Sequence, residues 1–134
     1  MKKLFIIPLV LLTLFSCSNS STNEPTNQEN PLIGKWKLIE QKNSDGSGTP
    51  PTWTTVINSY DLTLNENLTF TSTQITGCLS GTYSVVNGKI TLTYTCGNGS
   101  IPNQFSVVSN SNTELIIKNV NCIEECADKF QKIN

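Results

Sequence analysis

Apolar and polar residues alternate along most of the chain after Leu32. Apolar side chains at every second position, in short runs bounded by Gly, Asn, Ser and Pro, indicate β-strands with one buried face. No stretch after Leu32 repeats apolar residues at the spacing of one face of a helix. The alternation is clearest around Asn87-Gly88, where Tyr83 precedes and Leu92 follows two residues that tolerate positive φ and favour a tight hairpin. The sequence therefore predicts an all-β domain.

The pattern predicts about eight short strands, joined by hairpins in sequence order. Their inward-facing positions are, strand by strand, Trp36, Leu38 and Glu40; Leu62 and Leu64; Leu68 and Phe70; Leu79, Gly81, Tyr83 and Val85; Ile90, Leu92 and Tyr94; Phe105 and Val107; Leu115 and Ile117; and Phe130, in a last strand over residues 128–133. An antiparallel meander of this length exposes its edge strands unless it closes on itself. We therefore expect an up-and-down meander that closes into a roughly eight-stranded barrel.

The first residues are typical of an export signal rather than of a folded domain. Lys2 and Lys3 precede the 12-residue apolar run from Leu4 to Phe15. A bilayer core of about 30 Å needs roughly 20 apolar residues, so this run has the length of a secretory signal instead. The run ends in Leu14-Phe15-Ser16-Cys17, which resembles the lipobox of bacterial lipoproteins. The resemblance implies that residues 1–16 are removed and that Cys17 receives acyl chains such as palmitate; a plain signal peptide with an incidental Cys is the alternative.

The expected domain organisation follows from that cleavage. Residues 17–30 would be the lipidated Cys and a polar, flexible tether, and residues 31–134 the barrel domain. Several acyl chains hold a protein at a membrane without any transmembrane helix. Ser18 follows the lipidated position, where Asp is the retention signal for the inner membrane in some didermic bacteria. We therefore expect a lipid-anchored protein of the bacterial cell envelope, in the outer membrane rather than the inner.

The composition removes several functional classes. The 134 residues include nine Lys and ten Asp plus Glu, but no His and no Arg, and the net charge is −1. This balance disfavours a nucleic-acid partner, since binding phosphates needs clustered cations. The absence of His removes the commonest general base and the commonest metal ligand. A carboxylate pair for glycoside hydrolysis is conceivable, with the candidates Glu40, Asp61, Glu66, Glu114, Glu124 and Glu125. Of these, Glu66, Glu124 and Glu125 lie in predicted turns and are better interpreted as solvated loop charges. We expect no catalytic residue, no metal and no cofactor.

Four cysteines remain if Cys17 is lipidated, an even number in an exported domain. The Asn87-Gly88 hairpin places Cys78 opposite Gly97, one residue from Cys96, and Cys122 and Cys126 flank one short loop. Of the three possible connectivities we favour Cys78–Cys96 with Cys122–Cys126. A zinc site of four thiolates is the alternative, although only Cys122 and Cys126 have a suitable spacing.

Several motifs resemble those of a known family. Gly34-Lys35-Trp36 resembles the Gly-x-Trp of lipocalins, and the segments 62–70, 81–88 and 89–94 are similar to hairpins of bacterial lipocalin-like lipoproteins. The resemblance implies a calycin-type barrel over most of the mature chain, with Gly34 and Trp36 in structural roles. Lipocalins also cover the Gly-x-Trp indole with an Arg, which this chain lacks, so Lys129 or Lys132 would have to cover Trp36 by a cation–π contact.

Two functional hypotheses follow. In the first, the barrel binds a small apolar or amphipathic molecule in its mouth, under the 43–57 loop. The aromatic residues available to line such a site are Trp53, Tyr60, Phe70, Tyr83, Tyr94 and Phe105. In the second, the barrel is filled by side chains and its outer surface binds an envelope protein or a glycan. A cavity of roughly 300 Å³ or more favours the first hypothesis, and a solid interior beside an exposed Trp53 favours the second.

Overall fold

Nine antiparallel strands form one continuous sheet in the computed structural model, which describes residues 30–134. The strands are β1 (Gly34–Lys42), β2 (Thr54–Thr55), β3 (Asp61–Leu64), β4 (Thr69–Ser72), β5 (Ser80–Val86), β6 (Lys89–Cys96), β7 (Gly99–Asn110), β8 (Glu114–Asn119) and β9 (Ala127–Ile133). Each of β3 to β9 pairs with its neighbour in sequence, and β1 pairs with both β3 and β9. The chain is therefore an up-and-down barrel of eight strands, as the alternation predicts, with β2 as a short addition beside β1. The predicted signal peptide and Cys17 lie outside the described residues.

Strand β1 closes the barrel and changes register part-way along its length. It pairs with β9 from Lys35 opposite Ile133 to Lys42 opposite Ala127, with a bulge between Leu38 and Glu40. A bulge inserts an extra residue and reverses which positions face inward. Trp36 and Leu38 therefore face the interior before the bulge, and Gln41 faces it afterwards.

The barrel interior is filled with large apolar side chains from all eight strands. Phe70 and Tyr94 pack edge to face with ring centroids 4.8 Å apart, and Tyr60 packs against Phe130 at 5.6 Å. The largest fully buried side chains are Trp36, Tyr94, Phe70, Phe130, Leu38, Leu62, Leu64, Ile90, Leu92, Leu115 and Ile117. Interdigitation of this kind gives a solid core rather than a central cavity.

One end of the barrel is closed by Trp36. Its indole is fully buried and donates a hydrogen bond from Nε1 to the carbonyl oxygen of Leu32 at 2.8 Å. Lys132 Nζ lies 5.3 Å from the centroid of this ring, so Lys132, and not Lys129, takes the place expected for the missing Arg. We call this the closed end and the opposite end, where β1 finishes at Lys42, the mouth.

Both disulfides lie at the mouth, and their pairing is the predicted one. Cys78, just before β5, is bonded to Cys96 at the end of β6, and Cys122 is bonded to Cys126 within the β8–β9 loop. These bonds use all four thiols, which leaves none of them for the alternative zinc site. Cys78 is itself part of the buried core and Cys96 packs against that core, so the first cross-link joins the mouth to the core, while the second closes the exposed 122–126 loop.

Some positions predicted to face inward are exposed instead. Leu68, Leu79 and Val85 have 54%, 58% and 42% of their surface accessible. Leu68 lies in the turn before β4 with φ of 63°, Leu79 precedes β5, and Val85 lies near the far end of β5, so none of the three sits over the core. Strand β7 is also longer than predicted, since it starts at Gly99 rather than near Phe105.

Pro102 fits within the added part of β7 because that part has only one neighbour. Strand β8 ends opposite Phe105, so residues 99–104 pair with β6 alone. A proline, which cannot donate a backbone hydrogen bond, is tolerated on such an edge. The wall of the barrel is consequently open on one side of β7 near the mouth.

Gly81 is required by the aromatic pair of the core. It lies opposite Phe70 on one side and Tyr94 on the other, and a Cβ there would overlap the Thr93 carbonyl and approach Phe70 Cε1 to 2.8 Å. We expect Gly81→Ala to lower the free energy of unfolding by about 1–3 kcal/mol or more, as overpacking does. Gly97→Ala is the matched control, since its Cβ meets nothing within 4 Å, and it should change stability by less than about 0.5 kcal/mol. Urea unfolding followed by circular dichroism measures both, and equal stabilities would contradict this account of the core.

Candidate binding site at the barrel mouth

A small pocket opens at the mouth between β1, β7, β8, β9 and the β4–β5 loop. Its volume is about 170 Å³, well below the range of about 300–1,000 Å³ typical of sites for drug-sized ligands. Five carboxamides dominate the lining, which consists of Gln41, Asn43, Gln74, Asn103, Phe105, Asn119, Cys126 and Asp128. The mouth is therefore polar, although the barrel below it is apolar.

Asp128 is the one ionisable side chain in this lining. It lies two residues before Phe130 in β9 and so faces the same side of the sheet. Gln41 Nε2 donates to Asp128 Oδ1 at 2.8 Å, and the Tyr60 hydroxyl donates to Oδ2 at 3.2 Å. Burial raises the pKa of the Asp128 carboxyl, and the hydrogen bonds from Gln41 and Tyr60 oppose that shift. Two hydrogen bonds thus hold the carboxylate in a fixed position, although burial removes part of its hydration.

Two tyrosine hydroxyls separate the polar mouth from the apolar core. Tyr60 reaches Asp128, and the Tyr94 hydroxyl donates to Gln74 Oε1 at 2.8 Å. Burial raises the pKa of both phenols, and the Asp128 charge adds to the shift at Tyr60. Both phenols therefore stay protonated at neutral pH and act as donors that orient Asp128 and Gln74.

The aromatic residues proposed from the sequence to bind a ligand have different positions. Phe105 lines the pocket, while Tyr60 and Tyr94 contact its lining through their hydroxyls. Phe70 is buried against Tyr94 in the core. Tyr83 lies toward the closed end, where its hydroxyl donates to the Asn65 carbonyl at 2.7 Å.

Trp53 lies on the outside of the barrel. Lys129 Nζ is 4.4 Å from its ring centroid and Lys42 Nζ is 5.1 Å away, and Lys129 alternates with the inward-facing Phe130. Lys129 also forms an ion pair with Glu40, and Lys42 forms one with Glu125 at 3.0 Å. Trp53 therefore packs in a cluster of charged side chains and is not part of the pocket lining.

The segment from Asn43 to Ile57 covers the mouth less than expected. It contributes Asn43 to the pocket, and β2 then pairs along the outer edge of β1. A separate hollow of about 300 Å³ lies within residues 43–54 themselves, and an open groove of about 390 Å³ lies between residues 44–46 and the 121–124 loop. Both are shallow surface features, and neither is lined by the buried aromatic residues.

The carboxamides and Asp128 were not among the residues proposed from the sequence. A signal for them exists, because polar residues continue the inward-facing series where strands reach the mouth. Asn103 precedes Phe105 by two positions, Asp128 precedes Phe130 by two, and Asn119 follows Ile117 by two. These polar side chains continue the inward-facing alternation at the ends of their strands. They were missed because only aromatic residues were considered as ligand contacts.

Comparison with known proteins agrees with this architecture. The family model of the lipocalin-like domain matches residues 32–117, more than half of the chain. The chain belongs to the lipocalin-like domain family. Among solved structures, this lipocalin-like protein is similar to a lipocalin-like protein from Bacteroides uniformis ATCC 8492, with a TM-score of 0.55, 19% identity, and coverage of 77% of this chain and 99% of the other. At that identity the likeness concerns the fold alone. No curated protein matches the chain significantly.

The part of the lipocalin-like protein that the structure describes is residues 30–134. That part of the chain has no group of three or more His, Cys, Asp or Glu side chains placed to hold a metal ion. It also contains no helix long and apolar enough to cross a membrane.

The raised pKa of Asp128 predicts how stability depends on pH. Because the folded state binds this proton more tightly than the unfolded state, Asp128 favours folding below the ordinary carboxyl pKa, and this contribution is lost as pH rises through the raised value. Asn does not titrate, so the stability of Asp128→Asn relative to wild type should increase between about pH 3 and about pH 7. Urea unfolding across this range measures the difference. A difference that stays constant or decreases would show that Asp128 is not destabilised by burial.

Proposed function

We propose that this lipocalin-like protein is an envelope lipoprotein, anchored through Cys17, that binds a small molecule in the barrel mouth and does not transform it. The observation that supports binding best is the pocket itself, where five carboxamides and Asp128 surround about 170 Å³. These side chains project mainly from paired strands and disulfide-linked loops. Groups fixed in this way lose little conformational entropy when a ligand binds.

The lining favours a polar ligand or a polar head group over the apolar molecule expected from the sequence. An apolar ligand would remove water from the carboxamides without replacing their hydrogen bonds, at a cost of about 1–3 kcal/mol for each group left unpaired. The core below the mouth is filled by Phe130, Phe70 and Tyr94, so an acyl chain would have to displace these side chains to enter it. An amphipathic molecule would have to present its polar end to the pocket.

The lining also supports binding rather than hydrolysis. Glycoside hydrolysis needs two carboxyl groups on either side of the scissile bond, whereas Asp128 is the one carboxyl group among the residues that surround this pocket. Both oxygens of Asp128 already accept hydrogen bonds. This arrangement orients a ligand but supplies no acid and base pair.

The chain enters the barrel at the closed end, and this position is compatible with a lipid anchor at Cys17. Residues 30–32 lie at the closed end, where the Leu32 carbonyl accepts the bond from Trp36. A tether attached there leaves the mouth on the opposite side of the barrel from the point of attachment. A lipid at Cys17 would thus hold the protein at the envelope without covering its pocket.

A partner protein at the envelope is the second candidate. Ile123 is fully exposed within the disulfide-closed loop at the mouth, and Ile57 is 95% exposed between β2 and β3. Exposed apolar side chains indicate a protein contact where they form a contiguous patch, and Ile123 is held at the mouth by the disulfide that closes its loop. Under this hypothesis the filled barrel serves as a rigid support for its loops.

The anchor is tested by substituting Cys17. We expect Cys17→Ala to abolish incorporation of radiolabelled palmitate and to leave the signal peptide uncleaved, because the thiol is the acylated group. Ser18→Ala is the matched control and should label as wild type does. Labelling of Cys17→Ala at the wild-type level would rule out the lipobox interpretation.

The pocket is tested by native mass spectrometry of the protein purified from its own host. We expect a bound small molecule whose occupancy decreases in Asn103→Ala by about fivefold, the effect of losing roughly one hydrogen bond. Gln104→Ala is the control, since Gln104 is a carboxamide on the outer face of the same strand, bonded to Thr91 at 3.2 Å. Equal loss in both variants, or a ligand unaffected by either, would place binding elsewhere.

A further inference from the structure

We infer that the mouth recognises a neutral polyhydroxylated ring, a monosaccharide either free or at the end of a glycan. The inference rests on the proposed function, because it names the ligand class of the same pocket. It follows from three properties of the lining: the balance of donors and acceptors, the sign of its charge, and its size.

The lining offers donors and acceptors together. Gln41 uses its Nε2 on Asp128 and keeps its Oε1, whereas Gln74 uses its Oε1 on Tyr94 and keeps its Nε2. Asn119 Oδ1 accepts a hydrogen bond from the Asn121 backbone N–H, so the Nδ2 group of Asn119 can still donate to a ligand. A ligand must both donate and accept to satisfy such a set, and a hydroxyl group does both with one atom.

Two more carboxamides add to this balance. Within residues 30–134 the side chains of Asn43 and Asn103 take part in no hydrogen bond, although both line the pocket. Each amide group therefore presents two donors and one acceptor toward the mouth. Asp128 has further lone pairs beyond the bonds from Gln41 and Tyr60, so it can also accept from a ligand hydroxyl.

The charge of the lining disfavours both kinds of ion. Asp128 repels an anionic ligand, and no cationic side chain is present in the lining to compensate. A cationic ligand would pair with Asp128, but the remaining amide donors would face a group that accepts no hydrogen bond. A neutral ligand rich in hydroxyls avoids both conflicts.

The size of the pocket fits a single ring. A volume of about 170 Å³ is the volume that about six water molecules occupy in liquid water. Phe105 lines the base of the pocket but has only 3% of its surface exposed, so the polar side chains make most of the contacts available to a ligand. The pocket is open to solvent, so the remaining residues of a glycan can extend outward from a terminal ring.

The test uses the full chain in a detergent whose head group carries no sugar, followed by ¹H–¹⁵N NMR of side-chain amides. The Asn103 signal is assigned by its loss in Asn103→Ala. Glucose, galactose, mannose and N-acetylglucosamine are the neutral probes, with glucuronate, glucosamine and laurate as comparisons. We expect saturable shifts of the mouth amides with at least one neutral sugar, and binding of glucuronate weaker by about tenfold because of Asp128.

Matched variants separate recognition from folding. Asn103→Ala and, independently, Asn43→Ala should weaken sugar binding by about fivefold, while Gln104→Ala should bind as wild type does. Asp128→Asn should still bind the neutral sugar. Its affinity for glucuronate should rise toward its affinity for the neutral sugar, since the charge repulsion is removed. A methyl glycoside that binds as well as the free sugar indicates a terminal glycan residue, and one that fails to bind indicates a free reducing sugar.

The outcomes distinguish this inference from the proposed function. If glucosamine or laurate shifts the mouth amides saturably and no neutral sugar does, the pocket binds a ligand of another class and the inference is wrong. Tighter binding of glucosamine than of every neutral sugar would likewise overturn it in favour of a cationic ligand. If no probe shifts these amides and no molecule copurifies with the protein, both the inference and the proposed binding function fail.

Discussion

The pairing of β1 with β9 is the constraint on which the rest of the structure depends. It converts a meander into a barrel. The bulge between Leu38 and Glu40 lets β1 contribute side chains to the apolar core at one end and to the polar mouth at the other. Before the bulge, β1 turns Trp36 and Leu38 into the apolar core. After it, β1 turns Gln41 toward Asp128 on the partner strand. If β1 alternated strictly through Ile39, as the sequence pattern predicts, Glu40 would face the interior and its ion pair with Lys129 on the outside would be lost.

The polar mouth is sustained by the apolar layer beneath it. Asp128 loses solvation where it stands, which raises its pKa, and a buried polar group is tolerated when its hydrogen bonds are made. Tyr60 supplies one of the bonds to Asp128, and Tyr94 supplies a bond to Gln74 in the same lining. The rings of the two tyrosines pack against Phe130 and Phe70 below the mouth. The same side chains thus belong to both layers. A core substitution that moves either ring would therefore also move the hydroxyl group that it holds at the mouth.

The sequence predicts most of the fold, because alternation and turn residues are local signals. Asn87-Gly88 indicates its hairpin directly, and the register of that hairpin brings Cys78 close to Cys96. Other features depend on tertiary contacts that no local pattern carries. The bulge in β1 reverses the alternation without a Gly or Pro to mark it.

The candidate site is less predictable for a related reason. A polar residue at the end of a strand has the same appearance in the sequence whether it faces solvent or the mouth, and Asn103 and Gln104 are neighbours of the same chemical type on opposite faces. Phe105 could be found because it is apolar. Trp53 was expected at the mouth because it follows a long loop, but loops lack periodicity, and two lysines with partners on the outer face determine where its ring packs.

The two ends of the barrel are stabilised by different means, and this difference bears on function. At the closed end Trp36, Leu32 and Lys132 pack together, so hydrophobic burial suffices. The mouth cannot be closed in that way and still expose carboxamides, so covalent links constrain its loops instead. The family likeness accounts for the barrel, which a protein of 19% identity also has, but it does not account for the mouth. The ligand that we propose for this pocket would therefore be selected by the few polar residues that the barrel and its two disulfides hold in place.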